Sequence, residues 1–209
     1  MIGILGGTFD PVHHGHLRVA LEIHALLGLV KVHLIPSARP PHRDAPSASP
    51  QQRLAMLQAA VADEAALVAD DRELHRQGPS YMVDTLRELR EEYAPAPLCL
   101  LLGMDAFRGL PDWYQWEQLI DLAHLVVVQR PDTSTPMTKA MQQFLRQHQV
   151  ESPEQLWQHP AGTIFMQQVP ALTISATKIR MLIANGGNPR YLLPDKVLEF
   201  IQTQRLYQL

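Results

Sequence analysis

The stretch that most constrains this chain is its opening. The apolar run Ile2-Gly3-Ile4-Leu5 passes through Gly6-Gly7-Thr8-Phe9-Asp10-Pro11-Val12-His13-His14-Gly15-His16 into a helical pattern from Leu17 to Leu27. It reads as a buried strand, a tight glycine turn and a helix start. Glycines at 6 and 7 let the backbone approach a ligand with no Cβ in the way. The first helical turn then presents N–H groups and the positive end of the peptide dipoles, a natural seat for phosphate. His13 and His16, three residues apart, share a face and add donors. Three histidines in four positions also suit zinc, but zinc asks for a third and fourth ligand, and Asp10 is the only obvious carboxylate nearby. Neither GxxxxGK[ST] nor GxGxxG follows a predicted strand, so the two commonest phosphate loops are absent. The reading favoured is a phosphate-handling site with no protein-held metal.

Val30-Lys31-Val32-His33-Leu34-Ile35, ended by Pro36, suits a second buried strand. Strand, helix and strand at this spacing make a βαβ unit, hence a parallel sheet with right-handed crossovers. The loop Pro36-Ser37-Ala38-Arg39-Pro40-Pro41-His42-Arg43 leaves the C-terminal end of that strand, where open parallel sheets bind ligands, and Arg39, His42 and Arg43 make it basic. Ser49-Pro50-Gln51-Gln52 is a capping-box helix start, followed by an apolar stripe of Leu54, Leu57, Ala60 and Val61. Leu67-Val68-Ala69 reads as a third short strand. Gly78-Pro79-Ser80 opens a helix bearing Met82, Leu86 and Leu89, on which Tyr81 is expected in the core and Thr85 is neutral.

Leu98 to Leu102 is a continuous apolar run of the kind central parallel strands show, and it ends in Gly103-Met104-Asp105. A carboxylate there suits ribose hydroxyls, or caps the next short helix. In Leu110 to Glu117, Trp113 and Tyr114 are adjacent and cannot both face the core from one helix, so at least one is expected against a ligand, where a flat ring stacks on a base or pyridine. Ala123 to Val128 is a further strand. Residues 131–162 turn polar and Gln-rich, with weak helix signals at Thr135-Pro136 and Ser152-Pro153-Glu154-Gln155, and read as a surface elaboration. Thr163 to Met166 reads as the last strand. Ile174-Ser175-Ala176-Thr177-Lys178-Ile179-Arg180 is a hydroxyl-capped helix start with Ser175, Thr177 and Arg180 within one turn; that helix stops at Asn185-Gly186-Gly187. Pro194 to Leu206 is a closing helix with Val197, Phe200 and Ile201 inward.

Composition narrows the partners. At 209 residues with a net charge of −3, the chain can build a substantial core but gives no electrostatic reason to expect nucleic acid, so any phosphate must be held locally. The single cysteine, Cys99, lies in an apolar run and reads as a small hydrophobe. No basic leader and no membrane-length apolar stretch is evident, which points to the cytoplasm and away from a membrane. A homo-oligomer stays open.

Taken together, Gly6 to His16 and Ser175 to Arg180 resemble the HxGH and SxTxxR signatures of the nucleotidyltransferase superfamily, which includes the class I aminoacyl-tRNA synthetases. Between them, Pro40-Pro41-His42-Arg43, Pro79-Ser80-Tyr81, Leu102-Gly103-Met104-Asp105 and Trp113-Tyr114 resemble one branch closely, the bacterial nicotinate-mononucleotide adenylyltransferases. The resemblance spans essentially the whole chain. It implies an α/β fold, a Rossmann-like doubly wound parallel sheet with helices on both faces, over one domain, 1–209, with the elaboration at about 131–162 and a helical C-terminal part from about 175. It implies that ATP, carrying Mg2+, and nicotinic acid mononucleotide give deamido-NAD and pyrophosphate. His13, His16 and Arg180 would stabilise the transferring charge. Gly6, Gly7, Phe9, Gly103, Asp105, Ser175 and Thr177 would bind ATP. Ser37, His42, Arg43, Thr85, Trp113 and Tyr114 would bind the mononucleotide, Trp113 by stacking and backbone donors near Thr85 and Tyr114 by meeting the carboxylate. Ser37 stands where relatives often have Asn, and Met82 where Thr or Ser is common. The alternatives are a sister transferase acting on nicotinamide mononucleotide or phosphopantetheine, and a nucleotide-binding sensor without chemistry.

Overall fold

The first strand runs past its apolar residues. In the computed structural model, which describes residues 1–40, 45–129, 137–169 and 172–208, β1 spans Ile2–Gly7 and carries both glycines to the sheet edge. The other strands are β2 Lys31–Pro36, β3 Leu67–Ala69, β4 Leu98–Gly103, β5 His124–Gln129, β6 Gln149–Val150 and β7 Ile164–Gln168. Among the described residues their order is β3-β2-β1-β4-β5-β7-β6, and every pairing is parallel. The chain winds outward from β1 through β2 to β3, then crosses back to β4 on the other side of β1. The β1/β4 boundary is therefore the switch point at which such sheets open a crevice beyond their C-terminal ends.

The helices are α1 His14–Leu27, α2 Pro50–Val61, α3 Arg72–His75, α4 Met82–Tyr93, α5 Met104–Arg108, α6 Leu119–Leu122, α7 Lys139–His148, α8 Ala176–Ala184 and α9 Asp195–Thr203. They divide by face, because successive strand residues point to opposite sides. Cys99, Leu101, Val126 and Val128 pack with α1, α2, α8 and α9, whereas Leu98, Leu100, Leu102, Leu125 and Val127 pack with α4 to α7. That is the expected doubly wound α/β arrangement. Burial pushes the Cys99 thiol up to about 12, which agrees with an inert core residue. No described helix is long and apolar enough to cross a membrane.

Three local readings change. The buried stripe of α2 is Arg53, Met56, Leu57 and Val61, with Leu54 and Ala60 only half-buried, so a guanidinium takes the place given to a leucine. The aromatic segment is two 3-10 turns, Leu110–Asp112 and Trp116–Gln118, separated at Gln115, whose φ is 51°. Within the polar elaboration, Thr138 caps α7, and β6 adds an edge strand beside β7 that the short Gln-Val pair does not announce. The helix signal at Thr135-Pro136 lies outside the described residues.

Candidate active site

Two cavities meet over the ends of β1 and β4. The larger, about 1030 Å³, is lined by Gly6, Gly7, Phe9, His13 and His16 from the first signature, by Gly103 and Asp105 from β4 and α5, and by Ser175, Thr177 and Arg180 from the second. The start of α1 and the start of α8 both open into it, so two helix dipoles present their positive ends to one space. Their proximity is direct: a Cβ on Gly15 would stand 3.0 Å from the His13 ring and 3.6 Å from the Ile174 carbonyl. His13 is the N-cap of α1, with extended backbone, and its ring stacks on His16 at 3.7 Å. Phe9, fully buried and at φ 49°, sets its ring edge-on to His16 at 5.0 Å. The imidazoles are thus packed into place before any ligand arrives. Ser175 caps α8 by accepting from the Lys178 N–H.

What holds this cavity in shape is a set of buried polar contacts around Asp10. Its carboxylate accepts from the Ser47 and Ala48 N–H groups at 2.8 and 3.2 Å and from the Tyr207 hydroxyl at 2.7 Å. Its main-chain oxygen accepts from Arg180 Nη1 at 2.7 Å, and Arg180 Nη2 also reaches Thr177 Oγ1 at 3.4 Å. The two signatures, 170 residues apart, are joined by that one guanidinium. Burial pushes the Tyr207 phenol up, and so does its bond to Asp10, which keeps it a donor. Arg53, fully buried, donates to the Ala48, Thr8 and Ala38 carbonyls and so ties the glycine turn to the loops after β2 and before α2. Burial lowers its pKa, with Asp10 acting the other way. Sequence reading missed Arg53 and Tyr207. The signal for Arg53 was present, a charged residue in phase with Met56 and Leu57; none exists for Tyr207.

The smaller cavity, about 400 Å³, is lined by Ser37 and Pro40 after β2, Glu73 of α3, Ser80, Tyr81 and Met82 at the start of α4, and Trp113 and Tyr114. Tyr81 is half-buried and stacks on Tyr114 at 4.4 Å, so it forms the cavity wall, a correction to its expected place in the core. Tyr114 is 48 % exposed, as the adjacency of the two aromatics required. Arg87 of α4 donates to Gln115 and Gln118, which fixes the aromatic turn to the helix. Met82 also reaches the glycine turn: a Cβ on Gly6 would fall 2.5 Å from its terminal methyl, the free end of a flexible side chain.

The structure gathers His13, His16, Arg180, Gly6, Gly7, Phe9, Gly103, Asp105, Ser175 and Thr177 at the first cavity, and Ser37, Trp113 and Tyr114 at the second. His42 and Arg43 lie outside the described residues. Thr85 is the one described residue placed elsewhere. It lines neither cavity, is fully buried, and its hydroxyl donates to Glu73 Oε1 at 2.6 Å while accepting from Arg76 Nη1 at 3.1 Å. One turn along α4 from the N-terminus, it faces inward, and Tyr81 and Met82 present themselves to the cavity instead.

Comparison with known proteins accords with this geometry. The cytidylyltransferase-like family model matches residues 4–182. A protein of Methylococcus capsulatus, named "Probable nicotinate-nucleotide adenylyltransferase", is 49% identical over 208 residues, 99% of each chain. One of Pseudomonas syringae pv. tomato with the same name is 53% identical over 209 residues, covering 99% of this chain and 93% of that one. Among solved structures, Plasmodium falciparum nicotinic acid mononucleotide adenylyltransferase complexed with NaAD superposes with a TM-score of 0.75 over 99% of this chain and 96% of that one; at 16% identity this speaks for the fold. The chain belongs to the cytidylyltransferase-like family, in the branch of the nicotinate-nucleotide adenylyltransferases.

Proposed function

We propose that this chain transfers the adenylyl group of ATP to nicotinic acid mononucleotide, giving deamido-NAD and pyrophosphate, a step of NAD biosynthesis. The observation that carries the reading is the pair of adjoining cavities over Gly6, Gly7 and Gly103, one built for phosphates and one rimmed by aromatic rings, which suits two substrates meeting end to end. A phosphate oxygen of the mononucleotide attacks the α-phosphorus of ATP. A Pα–O bond forms, the Pα–O bond toward the β-phosphate breaks, and pyrophosphate leaves with the electron pair.

That nucleophile is already ionised at neutral pH, so no strong base is required, and the protein's part is positioning and charge stabilisation. His13 and His16 would donate to the transferring and departing phosphates. Arg180, already oriented through Asp10 and Thr177, would place its charge on the same oxygens. Gly6, Gly7 and Phe9 bring backbone close, Asp105 meets the ribose beside Gly103, and Ser175 and Thr177 serve the phosphates at the start of α8. Trp113 stacks on the pyridine ring, with Ser37 and Tyr114 beside the mononucleotide. Mg2+ would arrive with the triphosphate, and its charge would offset that of the phosphates.

The test is pyrophosphate release with ATP and, in turn, nicotinic acid mononucleotide, nicotinamide mononucleotide and phosphopantetheine. Fastest turnover is expected with the first. A clear preference for either of the others would overturn the acceptor assignment.

A further inference from the structure

The serine of Pro79-Ser80-Tyr81 has no part in this chemistry, and a serine at a helix start ordinarily caps the helix. Here the N-cap of α4 is Tyr81, whose side chain makes no capping bond, and the Ser80 hydroxyl is engaged elsewhere. It accepts from the Ala38 N–H at 3.0 Å and from the Arg39 N–H at 3.2 Å, while the Ser80 N–H donates to the Arg39 carbonyl at 3.0 Å. Residues 38 and 39 carry two main-chain N–H groups and two carbonyls. Ser80 meets all of them except the Ala38 carbonyl, which accepts from Arg53 Nη2 at 3.4 Å. With both acceptor positions of its oxygen filled, the Ser80 hydroxyl has only its proton left to place. That proton goes to the Glu73 carboxyl, a 3 % exposed group that also accepts from the Thr85 hydroxyl at 2.6 Å. Ser37 and Pro40, at the two ends of the held segment, line the acceptor cavity with Glu73, Ser80, Tyr81 and Met82, and none of these lines the phosphate cavity.

We propose that Ser80 is a positioning residue for the acceptor: its hydroxyl, oriented by Glu73, pins residues 37–40 to the start of α4, so that the mononucleotide meets Ser37 and Pro40 already in place. The inference rests on the acceptor proposed above. The pinned N–H groups are half-buried at Ala38 and exposed at Arg39, so water can take over from the hydroxyl and the fold loses little. What is lost is the order of the segment, which acceptor binding must then supply out of its own contacts. The ATP side is untouched, because the held segment borders the other cavity. The effect therefore belongs in the affinity for one substrate, whereas a serine that served the fold alone would show in stability and in both substrates alike.

The variants are Ser80→Ala, which deletes the hydroxyl, and Ser80→Thr, which keeps it. Ser80→Ala should raise KM for nicotinic acid mononucleotide about tenfold, the fold-change that corresponds to about one hydrogen bond. Its kcat and its KM for ATP should stay within about twofold of the wild type, since only ground-state order on the acceptor side has changed. Amide hydrogen exchange, which needs no turnover, should be at least about tenfold faster at Ala38 and Arg39 in Ser80→Ala and unchanged along β2. Ser80→Thr should stay within about threefold of the wild type in both readings. Glu73→Gln placed on Ser80→Ala should change the acceptor KM by less than about twofold further, because Glu73 acts through the hydroxyl already removed. An unchanged acceptor KM in Ser80→Ala overturns the inference, as does an ATP constant that rises as far. Ala38 and Arg39 amides that exchange at the wild-type rate also overturn it. A wild type inactive with nicotinic acid mononucleotide would instead remove the acceptor assignment, and the amide exchange would still decide whether Ser80 holds the segment.

Discussion

The two cavities are built in opposite ways. The phosphate cavity is made of chain ends and backbone: two glycines where β1 stops, one where β4 stops, and the first turns of α1 and α8. The acceptor cavity is made of side chains from separate elements, Glu73, Tyr81, Met82, Trp113 and Tyr114, with the Tyr81 and Tyr114 rings stacked. The first is positioned by the sheet, whose register is set by continuous hydrogen bonding, and the second by packing. Damage to the first should therefore show in turnover with every acceptor, and damage to the second in the choice and affinity of the acceptor.

The largest expected effect lies in the phosphate cavity. Arg180→Ala or His16→Ala should lower kcat by roughly 10²–10³, the loss typical of one donor aimed at developing charge. The fall should be similar for the acid and amide acceptors, with melting temperature little changed for His16→Ala. Pyrophosphate release and thermal unfolding read the two quantities. Turnover within a few-fold of the wild type would dissolve the contrast, since neither group could then act on the transferring phosphate.

Next comes the buried brace beneath both cavities. Arg53→Met keeps the side-chain length but leaves the Thr8, Ala38 and Ala48 carbonyls without their donor. Unpaired buried acceptors of this kind should cost on the order of 3 kcal/mol, or roughly 10 °C in melting temperature for a chain of this size. If the variant melts with the wild type, water replaces the guanidinium and the glycine turn is not held by it.

The same contrast explains what the sequence could tell. Strand positions and the phosphate site follow from features that act locally: an apolar run, a glycine where a backbone must come close, and a hydroxyl that caps a helix. Gly6, His16 and Ser175 are therefore legible one by one. Glu73 and Tyr81 are not, because their roles depend on neighbours 12 and 33 residues away. Thr85 shows the limit from the other side. The role expected beside it belongs to backbone donors, while its hydroxyl turns inward to Glu73, and only the packed structure reveals which side chains among Tyr81, Met82 and Thr85 line the cavity. Arg53 stands between these cases, since its position in an apolar stripe was visible while its three carbonyl partners were not.

A smaller effect should separate the cavities by substrate. Trp113→Ala removes a flat ring from the acceptor side and should raise KM for nicotinic acid mononucleotide about tenfold, as loss of one stacking surface does. KM for ATP should stay within about twofold on the same reasoning. Equal shifts in both constants, measured at saturating co-substrate, would mean that Trp113 shapes the common floor and not the acceptor side.

The smallest effect tests whether the phosphate cavity is tuned from the far end of the chain. Tyr207→Phe deletes one hydroxyl and keeps the ring. Asp10 then loses a 2.7 Å donor, but keeps the Ser47 and Ala48 N–H groups and has Arg180 Nη1 at 3.9 Å. A carboxylate so well supplied should lose only about 1 kcal/mol of stability, roughly 3 °C in melting temperature. The kinetic change should be specific, because Asp10 holds Arg180 through its main-chain oxygen and holds the Ser47 loop through its carboxylate, and both border the phosphate cavity alone. KM for ATP should rise about threefold, in proportion to that loss of order. KM for the acceptor should not move. If the acceptor constant rises as far as that of ATP, Asp10 governs the shared glycine turn, and the two cavities respond as one unit despite their different construction.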